Sequence, residues 1–557
     1  MTPAQRPWLS GYGSRPHHLE PSAPDALTMF KQSVARSPRS TLIQYQGRSL
    51  SLEEVDRLSD AVACALDAHG VTRKDRVAFV LQNVPEFVIA LLAVWKLGAI
   101  VVPINPMYRE RELETILADA GAAIVIADEG YAAAIPTAMA AGGERTVIAC
   151  SPAYFAANGL DPRTLGSTAP SGAAAGRWPA FHDLASAFSG RQPDPVSLDP
   201  EDVAFLTYTS GTTGPPKGAM NLHRNVVFSA QTYRDWIGLD DSDTVLGIAP
   251  LFHITGLVAH IALTMLTGGT LLLGYRFEPS AVLNLIETGR PTFTVGAITA
   301  LMALINHPTF EHRDLTSLTK VYSGGQPVSA AAADAIERRL GAQLHIAYGM
   351  TETTSPSHLI PFGVRPPTDP ETGALSVGVP VFDTTALVLG ESNEILKPGE
   401  LGEIVIGGPQ VVPGYWGAPS EGQAAFMPGG LIRTGDIGYM NDNGWFFVID
   451  RKKDLINASG YKIWPREVED VLSQHPDVVE AAVVGVPDSY RGETVKAFVS
   501  LVGGASVTAD ELIAFCRDRL APYKCPRLVA IVEEIPKNAA GKILRRLLRD
   551  GPDSARA

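Results

Sequence analysis

Cysteine is scarce in this chain: four residues, Cys64, Cys150, Cys516 and Cys525, in 557. None forms a C-x-x-C pair, so neither a disulfide framework nor a paired-thiol redox motif is encoded, and a reducing compartment, the cytoplasm, is expected. No H-E-x-x-H occurs and no Cys/His cluster has ligand spacing, which argues against zinc. The N-terminal stretch MTPAQRPWLSGYGSRPHHLEP lacks an apolar core, so no signal peptide is expected. Basic residues are in deficit, 46 Lys plus Arg against 59 Asp plus Glu, for a net charge of −13. Such a chain is a poor general nucleic-acid binder, although a local phosphate site remains open to it. The stretch Phe87–Ile104 approaches a membrane span, but Lys96, Gly98 and Pro103 interrupt it. With the strand-like run Arg76–Leu81 before it, this stretch predicts a strand, a buried helix and a second strand, with no transmembrane segment.

What the chain does have is core-forming material. Apolar residues make up 45% and charged residues 19%, which excludes general disorder. At roughly 150 residues per domain, the length demands several cores. Gly (52) and Pro (42) are abundant and predict many turns and shaped loops. Up to about residue 345, β-type runs such as Val77–Leu81, Ile100–Pro103, Ala123–Ala127, Val203–Thr207 and Leu271–Leu273 alternate with helical ones, as in parallel sheets covered by helices. Residues 166–178 read as a surface loop. After about residue 375, short strands between Gly-rich turns predict a small β-rich sub-domain. Beyond the charged run Asp450–Asp454 an α+β unit is expected. Pro465 opens a helix with Val468, Val471 and Leu472 on one face. Glu480–Val486 is a strand, and Thr508 and Glu511 form a capping box. The fold class is therefore α/β: two parallel-type sub-domains and a β-rich one in residues 1–449, then an α+β unit in 450–557.

The most informative segment is Leu206–Gly218, LTYTSGTTGPPKG, placed after a strand and before a helical stretch starting near Asn221. Its N–H groups and hydroxyls suit phosphate oxygens, and Lys217 adds a point charge. The Walker A pattern fails, because Pro216 replaces the second Gly and Gly218 the Ser/Thr.

Read with five later motifs, this segment resembles the phosphate loop of the adenylate-forming superfamily, which includes AMP-forming acyl-CoA synthetases, firefly luciferase and peptide-synthetase adenylation domains. The later motifs follow in the family's order. Gly324-Gly325-Gln326-Pro327 is similar to the adenine loop, and Tyr348-Gly349-Met350-Thr351-Glu352 to the motif that lines the nucleotide and holds magnesium. Thr434-Gly-Asp436 and Asp450-Arg451 resemble the ribose and hinge motifs, and Pro536–Lys542 the C-terminal catalytic loop. The resemblance spans about residues 27 to 550. It implies ATP, Mg²⁺ and coenzyme A as reactants or cofactors, a carboxylic acid as substrate, and a mobile C-terminal domain.

Residue by residue, the resemblance implies ATP contacts from Thr209, Ser210, Gly211, Thr212, Thr213, Gly214, Lys217, Gly325, Gln326, Pro327, Tyr348, Gly349, Met350 and Thr351. Asp436 and Arg451 would hold the ribose. Lys542, Lys217 and Glu352 would be catalytic, since charge builds up as a carboxylate attacks the α-phosphorus. Glu352 with the Thr209 hydroxyl would hold magnesium. Ser459, Gly460, Tyr461 and Trp464 would line the pantetheine tunnel, and Asp450 would be the pivot. Pro250-Leu-Phe-His253-Ile-Thr-Gly256 resembles the acid-pocket motif. Amino-acid-activating relatives carry Asp where this chain has His253. With Ile298, Met302, Ser323 and Gly324 around it, the site implies an uncharged, apolar acid, medium- or long-chain fatty acids first and aryl acids second. An acyl-AMP ligase loading a carrier protein and a non-catalytic acyl-adenylate binding module stay as alternatives. Peripheral membrane contact and homodimerisation are left open.

Overall fold

The computed structural model describes residues 6–139, 143–157, 178–209, 216–369, 374–417, 424–458, 461–488, 491–537 and 542–550. The loop expected at 166–178 lies almost entirely outside them.

Two large sheets dominate. The first runs, in spatial order, through Thr146–Cys150, Ile124–Asp128, Arg76–Val80, Ile100–Pro103, Val203–Thr209 and Lys217–Leu222. Every pairing is parallel except the last, a hairpin with Thr209 opposite Lys217. The second sheet has nine strands: Val379–Pro380, Ser355–Leu359, Leu344–Met350, Lys320–Gly324, Phe293–Gly296, Thr244–Gly247, Thr270–Leu273, Thr41–Tyr45 and Arg48–Ser51. Its middle is parallel and its edges antiparallel. The alternation of strand and helix thus gives parallel interiors, and short local connections add antiparallel strands at the rims.

The apolar run is a strand–helix–strand unit. Helix Pro85–Lys96 is buried along its whole length, between strands Arg76–Val80 and Ile100–Pro103 that pair in parallel. Lys96 is tolerated there because its ammonium donates to Asp56 Oδ1 (2.7 Å), Asp60 Oδ1 (2.5 Å) and Ser59 Oγ (2.8 Å) on the neighbouring helix Leu52–Ala68. Among the described residues, no helix is long and apolar enough to cross a membrane.

The β-rich region is a five-stranded antiparallel sheet that includes Thr385–Leu389, Gly402–Gly407, Leu431–Met440 and Phe446–Arg451. The chain leaves it at Arg451, makes a 3₁₀ turn over Lys452–Asp454 and enters a further five-stranded sheet at Ile456. Helix Pro465–Leu472 buries Val468 and Leu472 against that sheet. Strand Val478–Asp488 pairs with Gly492–Leu501. The Thr508/Glu511 capping box starts helix Ala509–Arg517, which buries Leu512 and Cys516.

The helix expected to start near Asn221 begins two residues later and runs His223–Ile237, and the residues before it, Lys217–Leu222, form a strand. The stretch KGAMNL has no β-branched residue to announce a strand; its pairing with Val203–Thr209 imposes one.

Candidate active site

In the nine-stranded sheet the motif-bearing strands Thr244–Gly247, Phe293–Gly296, Lys320–Gly324 and Leu344–Met350 run in the same direction. Segments 250–256, 297–302, 323–327 and 348–352 therefore all emerge at the carboxyl ends of parallel strands, the edge where open α/β sheets bind ligands.

At this edge Asp436 is the centre of a polar cluster. The hairpin register puts Asp436 directly opposite Arg451, and the guanidinium Nε lies 2.7 Å from Asp436 Oδ1. Tyr348 OH donates to Oδ2 at 2.6 Å. Burial first, and the Asp436 anion second, push the Tyr348 phenol up, so it stays a protonated donor. The same anion raises the Arg451 guanidinium further. A carboxylate has about four acceptor sites, so each Asp436 oxygen keeps capacity for another donor. The backbone at Gly349 lies against the next strand: a Cβ there would sit 1.6 Å from Ser355 O, which only glycine avoids.

Glu352 sits in the 3₁₀ turn Thr351–Thr353 and is 6% exposed. Its Oε1 accepts a hydrogen bond from Tyr415 OH at 2.7 Å. Lys217 Nζ lies 5.5 Å from the centre of the same tyrosine ring. The segment around Tyr415 lines up with the phosphate-loop hairpin: Met220 N donates to Gly414 O (3.2 Å) and Trp416 N to Gly218 O (2.8 Å). Across the hairpin, the Thr209 hydroxyl donates to Lys217 O at 3.5 Å. Sequence reasoning missed Tyr415. Its signal was the aromatic pair in the Pro413-Gly-Tyr-Trp-Gly417 run. Ser210, Gly211, Thr212, Thr213 and Gly214 lie outside the described residues.

The expected acid pocket begins at His253, whose Nδ1 accepts from Thr255 N at 3.3 Å. Burial, reinforced by the charge of Lys542, pushes the imidazole down to about 4, so it is neutral near pH 7. Gly256 packs so tightly that a Cβ would lie 2.2 Å from Pro250 O, and it opens a π-helix, Gly256–Ala262. Ile298 and Met302, four residues apart, share one face of helix Ile298–Ile305. Gly296 pairs with Ser323, so this helix and Gly324 leave the sheet side by side. The Ser323 hydroxyl and Gln326 Nε2 are buried with no hydrogen-bond partner among the described residues. Gly325, next to Gln326, has φ +80°, and Pro327 follows.

Lys542 reaches this edge from the C-terminal unit. It keeps exposed surface, as a residue facing a cleft does. Partial withdrawal from water first, then the charges of Arg451 and Lys453, bring its ammonium down to about 8, with Asp436 and Asp454 opposing. The charge of Lys542 is thus felt both at the Asp436 cluster and at His253. Asp450, 6% exposed, accepts from Arg451 N (2.7 Å) and from Arg466 N (2.9 Å) in the first turn of helix Pro465–Leu472. Desolvation raises its carboxyl to about 6. Tyr461 is 56% exposed and stacks on Tyr523. Trp464 caps the same helix through its backbone. Ser459 and Gly460 lie outside the described residues. Among the described residues, no group of three or more His, Cys, Asp or Glu side chains forms a metal cluster.

A large lobe with motif loops on the carboxyl ends of parallel strands, approached by a lysine from a small α+β lobe, defines a nucleotide-activating enzyme. The family model described as AMP-binding enzyme matches residues 30–416, and that for the AMP-binding enzyme C-terminal domain matches 467–542. A long-chain-fatty-acid–CoA ligase of Bacillus subtilis is 38% identical, covering 98% of each chain. A feruloyl-CoA synthase of Amycolatopsis is 37% identical over 92% of this chain and 96% of the relative. The crystal structure of ATP-bound MatB from Rhodopseudomonas palustris superposes with a TM-score of 0.81 at 27% identity, covering 94% and 98%. The chain belongs to the AMP-binding enzyme family and is an AMP-forming ligase.

Proposed function

We propose that the protein activates a medium- or long-chain fatty acid as its acyl-adenylate and transfers the acyl group to coenzyme A in the cytoplasm. The observation that carries the choice of acid is His253. Where a substrate ammonium would need a counter-ion, this chain has a half-buried imidazole whose proton affinity is lowered to about 4, so it carries no charge near pH 7. A second charge on the acid would be left unpaired there, at a cost of several kcal/mol.

In the first step an acid oxygen attacks the α-phosphorus and pyrophosphate leaves. Asp436 and Arg451 orient the ribose, with Tyr348 fixing the carboxylate. The adenine would meet Gly325, Gln326 and Pro327, with the backbone of Gly349, Met350 and Thr351 beneath, and Ser210–Gly214 would follow the phosphates. Lys217 and Lys542 oppose the negative charge that builds up. The oxygens of Glu352 and Thr209 would hold Mg²⁺, which prefers hard oxygen donors. Bound there, the ion would neutralise phosphate charge. In the second step the thiol sulfur attacks the acyl carbon and AMP leaves. Residues 450–557 act as the mobile unit, pivoting at Asp450 to bring Ser459, Gly460, Tyr461 and Trp464 to the adenylate.

A second reading, an aryl acid, is favoured by the buried, unpartnered Ser323 hydroxyl, which would suit a polar ring substituent. One experiment separates the readings. The enzyme is given ATP, Mg²⁺, CoA and, in turn, octanoate, palmitate, ferulate, phenylalanine or succinate, and AMP and acyl-CoA are measured. The fatty acids should exceed phenylalanine and succinate by about 100-fold or more. Faster turnover of ferulate selects the aryl reading, and faster turnover of phenylalanine or succinate overturns both. AMP with acyl-adenylate but no thioester would point instead to a carrier-protein acceptor.

A further inference from the structure

The segment that carries Lys542 is pinned at both ends. On the entering side Lys537 pairs with Glu480 (2.7 Å), Lys537 and Ile543 form a β-bridge, and Leu544 N donates to Pro536 O (2.8 Å). On the leaving side Arg545, three residues after Lys542, donates through Nη2 to both oxygens of Glu469, at 2.7 and 2.8 Å. Glu469 also accepts from Val483 N at 2.7 Å. This ties helix Pro465–Leu472, strand Val478–Asp488 and the Lys542 segment at one point. Arg545 Nη1 further lies 3.9 Å from Asp454, and Asp454 closes the 3₁₀ turn that begins one residue after Arg451. The Arg545 and Glu469 side chains are only 20% and 13% exposed, so this charge-assisted contact is shielded from water and screened less than a surface pair.

We propose that Arg545 is a positioning residue for the adenylation step, holding Lys542 at a fixed reach from Arg451 and Asp436. The proposal rests on the reading of Lys542 given above. Without the Arg545 pin, Lys542 is free to withdraw from the cleft. It then loses contact with the reacting phosphate, and its ammonium escapes Arg451 and Lys453, which depress it, and Asp436 and Asp454, which oppose them.

The test compares wild type, Arg545→Gln, Arg545→Lys, Arg549→Gln and Lys542→Ala. Pyrophosphate release is followed between about pH 6.5 and 10, together with thioester formation from preformed acyl-adenylate and the Tm. Arg549 pairs with the same Asp454 at 3.0 Å but lies a turn further from Lys542, so it reports loss of anchoring alone. Arg545→Gln should lower kcat of adenylation by about 100-fold, the scale of a 1 Å misplacement. It should also move the alkaline limb above its wild-type position near pH 8 and leave thioester formation within about twofold. Arg545→Lys should recover part of kcat, and Arg549→Gln should change Tm without moving the limb. An unmoved limb in Arg545→Gln, or equal loss in both half-reactions, overturns the proposal. Normal adenylation by Lys542→Ala overturns the Lys542 reading itself, and the positioning role with it.

Discussion

Lys542 must be charged to oppose a developing negative charge, yet withdrawal from water and the nearby cations Arg451 and Lys453 depress its ammonium to about 8. The lowered value means the ammonium gives up its proton more readily than an ordinary lysine, so the charge is lost as pH rises through about 8. The kcat/KM of adenylation, which reports the free enzyme, should therefore fall above that pH. Lys542→Arg, if active, should show no such limb, because a guanidinium stays charged. The same limb in the arginine variant would assign it to another group. At Glu352, Tyr415→Phe removes a hydrogen bond to a carboxylate, worth about 1.5–3 kcal/mol. The Mg²⁺ concentration for half-maximal pyrophosphate release should rise, and rise further in Glu352→Gln. An unchanged Mg²⁺ dependence in both variants would remove Glu352 as a ligand. At this scale the sequence was most legible where the proposed site residues sit in one contiguous run, as in Tyr348–Glu352. It was silent on Tyr415, because its contact with Glu352 spans 63 positions, and on the bond from Tyr348 to Asp436, which spans 88.

Among the elements, helix Pro85–Lys96 was legible because its apolar run was interrupted at the places a buried βαβ unit needs. The partners of Lys96 were not, since Asp56 and Asp60 lie on a helix whose approach depends on packing. Removing one member of a buried ion pair leaves the other charge uncompensated. Lys96→Ala, which strands the Asp60 carboxylate and leaves Asp56 with Lys31 alone, should cost about 3–5 kcal/mol of unfolding free energy in urea. A loss below about 1 kcal/mol, the scale of an exposed pair, would mean that the pair behaves as a surface one. Strand Lys217–Leu222 shows the opposite limit: nothing in its residues distinguishes it from a helix start, and only the neighbouring strand decides it.

For the whole molecule, the order of six motifs made the two-lobe plan and the ligase class readable, while the orientation of the lobes was not encoded in any local pattern. The pivot assigned to Asp450 makes a separable prediction. Asp450→Pro and Asp450→Ala both lose the carboxylate that caps helix Pro465–Leu472, but only proline also fixes φ near −65°. The proline variant alone should keep adenylation and lose thioester formation. Parallel losses in both variants, with a lowered Tm, would make Asp450 a structural cap. The central claim, a two-step AMP-forming activation of a fatty acid, is tested most directly by exchange of labelled pyrophosphate into ATP without coenzyme A. Exchange that depends on palmitate or octanoate, with AMP and acyl-CoA appearing once coenzyme A is added, is the predicted result. No acid-dependent exchange, or ADP and phosphate as products, would contradict it.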